Sequence, residues 1–198
     1  MLAMGIALVV LGYLAGSLAS AVITCRLLGL PDPRRQGSGN PGATNVLRFG
    51  GKKAALVTLV GDILKGLLPV LLARLLTDVS IFFACTALAA FLGHLYPVFF
   101  RFQGGKGVAT AFGAVLGLAW PVALAMLFTW LVMTVSFRYS SLSALTAATL
   151  APLYTFLLAP DPAYVMAITA ISLLAIWRHR ANLRRLLAGT EGKISARP

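Results

Sequence analysis

Two glycine-rich polar segments carry most of the residues that could do chemistry. Residues 37–48 read GSGNPGATNVLR, and residues 101–107 read RFQGGKG. Glycines let successive backbone N–H groups turn toward one point, and Ser, Thr and Asn side chains add further polar groups to such a concavity. Arg48 and Lys106 add positive charge, and arginine can hold phosphate oxygens through two parallel hydrogen bonds. The segments therefore predict two phosphate-binding loops, although either pattern alone is also typical of a plain turn.

Known nucleotide-binding patterns do not fit these loops. Residues 37–42 match G-x-G-x-x-G by letter, but they follow an apolar helix instead of the strand that a dinucleotide-binding unit requires. Neither GKK at 51–53 nor GKG at 105–107 continues into the Ser or Thr that ends a Walker A loop. A nucleotide fold is therefore not expected.

The acidic and histidine content limits the chemistry further. The chain has five acidic residues and two histidines, which lie in different segments. This is too few for a carboxylate-built metal site, a zinc site or a paired acid and base. We therefore expect no metal and no cofactor. A site of Arg, Lys, Ser, Asn and backbone amides suits an electrophile that is already activated, such as an acyl phosphate. The phosphate of such a donor leaves easily and needs only charge stabilisation.

The segments between these loops are apolar enough to cross a membrane. Hydrophobic residues make up 59% of the chain and charged residues 11%. A soluble helical bundle would need more charged residues than this to cover its surface, so that alternative is disfavoured. A bilayer core needs about 20 apolar helical residues. Residues 2–25, 54–76 and 79–100 reach that length, whereas 121–137, 142–158 and 163–177 are somewhat shorter. Residues 108–118 are shorter still, and a re-entrant segment there would change the topology downstream.

Basic residues set the predicted orientation, because Lys and Arg in short loops stay on the cytoplasmic side. We predict an all-α integral membrane protein with a bundle of seven transmembrane helices, one of them short, in a single domain of residues 1–198. The N-terminus lies outside and the C-terminus is cytoplasmic. One face then collects Arg26, Arg34, Arg35, Arg48, Lys52, Lys53, Arg101, Lys106, Arg138, Arg178, Arg180, Arg184, Arg185, Lys193 and Arg197. Attraction to anionic headgroups also accounts for much of the net charge of +12.

Polar and small residues inside the spans predict internal packing. Asp62 and Lys65, three residues apart, can form a structural ion pair on one helix face. His94 is either a functional group or, as we favour, a hydrogen-bonding residue that fixes the second glycine loop. Small residues four apart, Gly12 with Gly16 and Gly113 with Gly117, let helices approach closely.

Three segments together resemble a known family. Residues 37–48, residues 93–110 (GHLYPVFFRFQGGKGVAT) and residues 178–191 (RHRANLRRLLAGTE) are similar to the acyl-phosphate glycerol-3-phosphate acyltransferases of bacterial membranes, the PlsY family. The similarity extends over nearly the whole chain. It implies that a fatty acyl group passes from acyl phosphate to the first hydroxyl of glycerol 3-phosphate, giving lysophosphatidate and inorganic phosphate.

The resemblance also assigns roles to residues. It implies that acyl phosphate is held by Ser38, Gly39, Asn40, Gly42, Thr44 and Asn45. It implies that glycerol 3-phosphate is held by Arg48, Lys106, Ser141, His179 and Asn182. Ser38, Arg48, Lys106, His179 and Asn182 are the expected catalytic residues. Because no protein base is evident, we expect the donor's own phosphate to accept the hydroxyl proton.

The implied partners are the two substrates, the lipid bilayer of the bacterial inner membrane, and a soluble enzyme that produces acyl phosphate. The active site is expected to face the cytoplasm, and no nucleic acid is expected to bind. Two other functions stay open at this point. A small transporter for a phosphorylated metabolite would also need basic residues, but its site would lie near the bilayer midplane between repeats. A purely structural membrane subunit would leave the glycine loops unexplained.

Overall fold

The protein is described by a computed structural model that covers residues 1–194, and Arg197 and the end of the predicted 1–198 domain lie outside these residues. All regular elements in the described part are helices, which confirms the all-α prediction. They are α1 (Leu2–Gly16), α2 (Ser20–Leu27), α3 (Ala43–Leu76), α4 (Ser80–Leu95), α5 (Val108–Leu118), α6 (Trp120–Phe137), α7 (Ser140–Leu158), α8 (Pro162–Arg178) and α9 (Arg180–Leu187). Two short 3-10 turns cover Pro33–Arg35 and Val98–Phe100.

Several helices have the length and apolar composition of a membrane span. Within the described residues, α3, α6, α7 and the segment Ser80–Phe100 meet both criteria, and α1 with α2 meets them as a bent pair. The remaining apolar helices, α5 and α8, have 11 and 17 residues. The chain is therefore a multi-pass helical protein, and a total of seven crossings requires both shorter helices to be counted.

The predicted first span is broken. Residues 2–25 were expected to form one helix, but α1 ends at Gly16 and α2 begins at Ser20 with a bend of 44°. The hydroxyl of Ser17 donates to the carbonyl oxygen of Tyr13 at 2.8 Å, so a side chain caps the end of α1. The ammonium of Lys65 in α3 donates to the carbonyl oxygen of Leu18 at 2.7 Å. A buried cation from another helix therefore stabilises the break.

Helix α3 begins earlier than expected. Residues 37–48 were predicted as a loop, yet α3 starts at Ala43, so Thr44, Asn45 and Arg48 lie on its first two turns. The helical path is interrupted at Gly51, where φ is 76°, in the left-handed region that glycine adopts at little cost. The part of α3 before Gly51 can therefore run in a different direction from the long apolar part after it.

The small-residue faces pack inside the protein, as predicted. A Cβ atom on Gly12 or Gly16 would collide with Thr86 or Ala90, so α1 and α4 touch through their backbones. A Cβ atom on Gly113 or Gly117 would collide with Ile63 or Val70 of α3, so α5 and α3 touch at two successive turns. Close approach of this kind is how membrane helices gain packing energy.

The predicted ion pair and the favoured role of His94 are supported. Lys65 Nζ lies 2.8 Å from Asp62 Oδ1, and both side chains are buried. His94 Nδ1 lies 3.1 Å from the hydroxyl of Thr110 and 3.6 Å from Asp62 Oδ1. The backbone carbonyl of His94 accepts the N–H of Gly105 at 3.2 Å, so this residue holds the second glycine loop against α4.

Candidate active site

A cavity of about 670 Å³ brings the predicted site residues together. Ten of the eleven line it: Ser38, Asn40, Gly42, Thr44, Asn45, Arg48, Lys106, Ser141, His179 and Asn182. The exception is Gly39, which has a φ of 70° and donates its N–H to the carbonyl oxygen of Gln36 at 2.9 Å. Gly39, predicted to contact acyl phosphate, therefore lies in the turn that precedes α3.

Asn45 organises the first glycine loop. Its Oδ1 accepts the N–H of Ser38 at 2.9 Å, and its Nδ2 donates to the carbonyl oxygens of Pro33 and Gln36, both at 2.9 Å. The residue is 2% exposed. All three hydrogen bonds connect the start of α3 to the preceding turn. Asn45 therefore uses its polar atoms to hold the loop that presents Ser38.

The free amides at this end of the cavity belong to a helix terminus. The N–H of Gly42 is already donated to the carbonyl oxygen of Asn40 at 2.9 Å, and Gly42 is the N-cap of α3. The first N–H groups of a helix have no intrahelical acceptor, which here applies to Ala43 and Thr44. Both residues line the cavity. A helix start of this kind attracts an anion through its amides and its dipole, whereas the sequence had predicted amides from the glycines themselves.

The second glycine loop is fixed from two sides. On one side Gly105 donates to the His94 carbonyl, and a Cβ atom at Gly105 would collide with the His94 ring. On the other side Arg178 donates to the carbonyl oxygens of Gly104 and Gly105 at 3.0 to 3.2 Å. These backbone groups of the loop are therefore already hydrogen-bonded within the protein. The polar side chain that the loop presents to the cavity is Lys106.

A chain of side-chain hydrogen bonds links the second loop to α7 and α9. Lys106 Nζ donates to Asn182 Oδ1 at 2.5 Å. Asn182 Nδ2 and the Ser141 hydroxyl both donate to Glu191 Oε1 at 2.6 Å, and Arg185 Nε donates to Glu191 Oε2 at 2.7 Å. Ser141 and Asn182, both predicted to hold glycerol 3-phosphate, thus bond to one carboxylate. Lys106, the third such residue, is connected to it through Asn182.

Glu191 is the main residue of this site that sequence reasoning missed. It lies within the third segment of family resemblance, but an isolated acidic residue near the C-terminus has no partner that the sequence reveals. Burial raises its pKa, but hydrogen bonds from Ser141, Asn182 and Arg185 outweigh that effect and lower the pKa below its usual value. Glu191 is therefore a carboxylate at neutral pH.

Burial and neighbouring charges make Lys106 unusually acidic. Burial is the largest effect, and the positive charges of Arg185, Arg178 and Arg48 add to it, while Glu191 opposes it. The pKa of Lys106 falls to about 8. The side chain is mostly charged at neutral pH and would gain strongly from a bound phosphate.

His179 is neutral and has a defined tautomer. Its Nδ1 lies 2.8 Å from the carbonyl oxygen of Ala175, which can only accept, so Nδ1 carries the hydrogen and Nε2 keeps a lone pair. Burial lowers the pKa of His179 most, the positive charge of Lys106 adds to this, and the pKa is about 4. Such an imidazole can accept a hydrogen bond from a substrate hydroxyl but is a weak base.

The segment 191–194 forms part of the cavity wall. Glu191, Gly192 and Ile194 all line the cavity. The N–H of Ile194 donates to the carbonyl oxygen of Arg138 at 2.7 Å, and Lys193 Nζ lies 5.5 Å from the centre of the Tyr139 ring. This segment therefore joins the end of α9 to the turn between α6 and α7.

Away from its polar end the cavity is apolar. Leu59 of α3 and Leu127 of α6, at its rim, are 39% and 37% exposed. Both leucines lie on helices with the length and composition of a membrane span. The walls are formed by Ile63, Phe112, Met126, Trp130, Ala144, Ala147, Ala148 and Ile171.

The fold and the site together define a class: a multi-pass helical membrane protein with a cavity that is basic and polar at one end and apolar at the other. The family model for glycerol-3-phosphate acyltransferases matches residues 6–189. The chain therefore belongs to the glycerol-3-phosphate acyltransferase family.

Named relatives and solved structures agree with this assignment. The chain is 60% identical to the glycerol-3-phosphate acyltransferase of Thioalkalivibrio sulfidiphilus, over 95% of this chain and 93% of the relative. It is 55% identical to that of Methylococcus capsulatus, over 96% of each chain. The crystal structure of PlsY in its glycerol 3-phosphate form superposes with a TM-score of 0.92 at 41% identity, over 96% of this chain and 95% of that one. The lysophosphatidic acid form gives 0.90 at 40% identity with the same coverage.

Proposed function

We propose that the protein transfers a fatty acyl group from acyl phosphate to the first hydroxyl of glycerol 3-phosphate, producing lysophosphatidate and inorganic phosphate. The names of its relatives support glycerol-3-phosphate acyltransferase activity and do not favour the transporter. The PlsY structures are described with glycerol 3-phosphate and with lysophosphatidic acid, the acceptor and the product. The observation that carries the proposal is the amphiphilic cavity, where Lys106 and Asn182 lie at the polar end of a space with an apolar extension.

Acyl phosphate fits the side of the cavity formed by the first loop. Its phosphate would lie at the start of α3, near the amides of Ala43 and Thr44 and the side chains of Ser38 and Asn40. The fatty chain would lie along the apolar walls, with its end open to lipid. Asn45 and Gly39 would act indirectly by holding the loop. Gly42, the N-cap of α3, would also act indirectly, because it has no side chain and leaves room for the phosphate.

Glycerol 3-phosphate fits the opposite side. Arg48 and Lys106 supply the positive charges that its phosphate requires, and Ser141 and Asn182 supply hydrogen-bond donors. His179 Nε2 is free to accept a hydrogen bond from the first hydroxyl. Ser141 and Asn182 are now bonded to Glu191, so substrate binding would share or replace these hydrogen bonds.

The reaction needs little from a protein base. The hydroxyl oxygen attacks the acyl carbon, the bond from that carbon to the phosphate oxygen breaks, and the departing phosphate takes the hydroxyl proton. The low pKa of His179 supports this route, because an imidazole with a pKa of about 4 is a poor proton acceptor at neutral pH. The protein would contribute orientation and stabilisation of negative charge on the departing phosphate.

A single-turnover experiment tests the proton route. We expect His179→Ala to weaken the binding of glycerol 3-phosphate and to slow the chemical step only through lost orientation. A variant that binds both substrates normally but no longer performs the chemical step would overturn the donor phosphate as proton acceptor.

The membrane arrangement belongs to the same proposal. We propose seven crossings, including α5 and α8, with the N-terminus outside and the site facing the cytoplasm of a bacterial inner membrane. Acyl phosphate would come from a soluble enzyme. A reporter fused after Leu118 distinguishes a full crossing by α5 from a re-entrant segment, because only a full crossing places the reporter outside.

The activity itself is tested with purified protein in detergent. Palmitoyl phosphate and labelled glycerol 3-phosphate are supplied, and lysophosphatidate is measured. The same assay with acyl-CoA and acyl carrier protein donors determines which donor is used. We expect product with palmitoyl phosphate, and no product with any donor would refute the proposed activity.

A further inference from the structure

One face of α9 points away from the active site and alternates charge with apolar surface. Arg180, Leu183, Arg184 and Leu187 follow the spacing i, i+3, i+4, i+7 and therefore form one stripe. All four are exposed, with Leu183 at 41% and Leu187 at 82%. The guanidinium of Arg180 stacks on the ring of Trp177 at 4.5 Å. This combination of Arg, Leu and Trp is typical of a helix lying in a membrane interface.

An apolar groove begins where this stripe meets α7. Its volume is about 380 Å³, and it is lined by Leu142, Thr146, Thr149 and Leu150 of α7, Ile176 of α8 and Leu183 of α9. Both threonine hydroxyls donate to carbonyl oxygens of their own helix, so their polar groups already have partners. Residues 142 to 150 extend about 12 Å along α7. The groove can therefore receive a length of acyl chain.

Two arginines of the stripe have no carboxylate partner within the described residues. Across residues 1–194, neither Arg180 nor Arg184 has a carboxylate within 4.0 Å, whereas Arg185, on the inward side of α9, is paired with Glu191. Leu183 belongs both to the exposed stripe and to the groove wall. A ligand that satisfies both features carries a negative headgroup and a hydrocarbon chain.

We propose that α9 and α7 form a binding site for an anionic phospholipid, separate from the substrate cavity. The headgroup contacts Arg180 and Arg184, and one acyl chain occupies the groove below Leu183. The same two helices hold the active site from their other sides, because Asn182 of α9 and Ser141 of α7 both bond to Glu191. A bound anionic lipid therefore stabilises the position of Asn182, and turnover responds to the charge of the membrane.

Quenching of Trp177 fluorescence by brominated lipids tests binding directly. The chain has three tryptophans, so Trp120→Phe and Trp130→Phe leave Trp177 as the sole reporter beside Arg180. The probes are dibrominated phosphatidylglycerol and dibrominated phosphatidylcholine in otherwise identical mixed micelles. We expect phosphatidylglycerol to bind about thirtyfold more tightly, given roughly 1 kcal/mol for each of two arginines.

Matched variants separate this site from general charge. Arg180→Gln with Arg184→Gln should abolish the preference for phosphatidylglycerol. Lys52→Gln with Lys53→Gln removes the same charge from exposed positions elsewhere and should preserve it. Thr149→Phe, which fills the groove, should weaken both lipids alike. An unchanged preference in the arginine pair, or an equal loss in the lysine pair, would overturn the site.

Turnover in nanodiscs provides the second readout. We expect the wild-type protein to be several-fold more active with phosphatidylglycerol than with phosphatidylcholine alone, and the arginine pair to lose this difference. If the arginine pair is equally impaired in both kinds of nanodisc, the stripe serves another partner, such as an acidic protein, and the lipid proposal is wrong. The quenching measurement does not depend on activity, so it stands even if the proposed reaction fails.

Discussion

The guanidinium of Arg178 donates two hydrogen bonds to the carbonyl oxygen of Gly105, from Nε at 3.2 Å and from Nη2 at 3.0 Å. Arg178 directly precedes His179, and Gly105 directly precedes Lys106. This contact therefore sets the distance between Lys106 and His179, which come from separate parts of the sequence. It also explains why the second loop is rich in glycine, since its backbone must approach both α4 and Arg178 closely.

Arg178→Gln should raise the KM for glycerol 3-phosphate about tenfold. The change removes hydrogen bonds from a charged donor, each worth about 1.5–3 kcal/mol, so the loop can shift and carry Lys106 away from Asn182. The KM for palmitoyl phosphate should change less than twofold, and Arg178→Lys should lie between the two proteins. Steady-state kinetics with each substrate varied measures this. Arg101→Gln, at an exposed position in the same loop, is the control, and an equal rise in both KM values would contradict the prediction.

Binding of glycerol 3-phosphate should weaken as the pH rises through about 8. The charged form of Lys106 exists below its pKa, which is lowered to about 8, and that charge is lost above it. The kcat/KM for glycerol 3-phosphate, which reports the free enzyme, should therefore fall on the alkaline side. Lys106→Arg should remove this decline, because arginine stays charged over the whole range. A decline that persists in Lys106→Arg would assign it to another group.

Glu191→Gln should move the same alkaline decline to lower pH. The negative charge of Glu191 raises the pKa of Lys106, so its removal makes the lysine lose its proton more readily. A profile of kcat/KM against pH for the variant and the wild-type protein measures the displacement. Glu191→Asp keeps the charge and serves as the control. Identical profiles for Glu191→Gln and the wild-type protein would show that the carboxylate does not influence Lys106.

Asn45→Ala should destabilise the first loop and the protein. Three groups, the Ser38 N–H and the carbonyl oxygens of Pro33 and Gln36, would lose their partner in a largely buried place. An unsatisfied buried group costs about 1–3 kcal/mol. The temperature of unfolding should fall, and the KM for palmitoyl phosphate should rise more than that for glycerol 3-phosphate. Gln103→Ala, at an exposed loop amide, should change neither, and unchanged unfolding in Asn45→Ala would refute the role of Asn45.

The long apolar runs predict most helices well, because composition and length alone decide whether a segment can occupy a bilayer. The breaks are not predictable in the same way. The run 2–25 has no Pro or charge to mark its bend, which depends on Lys65 from another helix. Gly51 gives no sign that it interrupts α3, since many glycines lie within helices in this chain.

The sequence predicted residues that line one cavity, but not the hydrogen bonds among them. The three segments that resemble the family meet in one cavity, which is lined by Ser38, Arg48, Lys106 and His179. The sequence does not reveal which partners a polar atom already has, so the hydrogen bonds of Asn45 and Gly39 within the first loop were not predicted. Glu191 was missed for a related reason: its importance depends on Ser141, fifty residues earlier in the chain.

The contact between Lys65 and the carbonyl of Leu18 has a consequence for biogenesis. In hydrocarbon, a carbonyl at a helix break lacks a water partner, and the Lys65 ammonium, although paired with Asp62, has further N–H donors to satisfy. Neither segment is therefore fully satisfied in lipid by itself. Each supplies what the other needs. During synthesis, the first two helices and α3 should therefore leave the insertion machinery as a unit, with α1 and α2 retained until Lys65 of α3 reaches the bend.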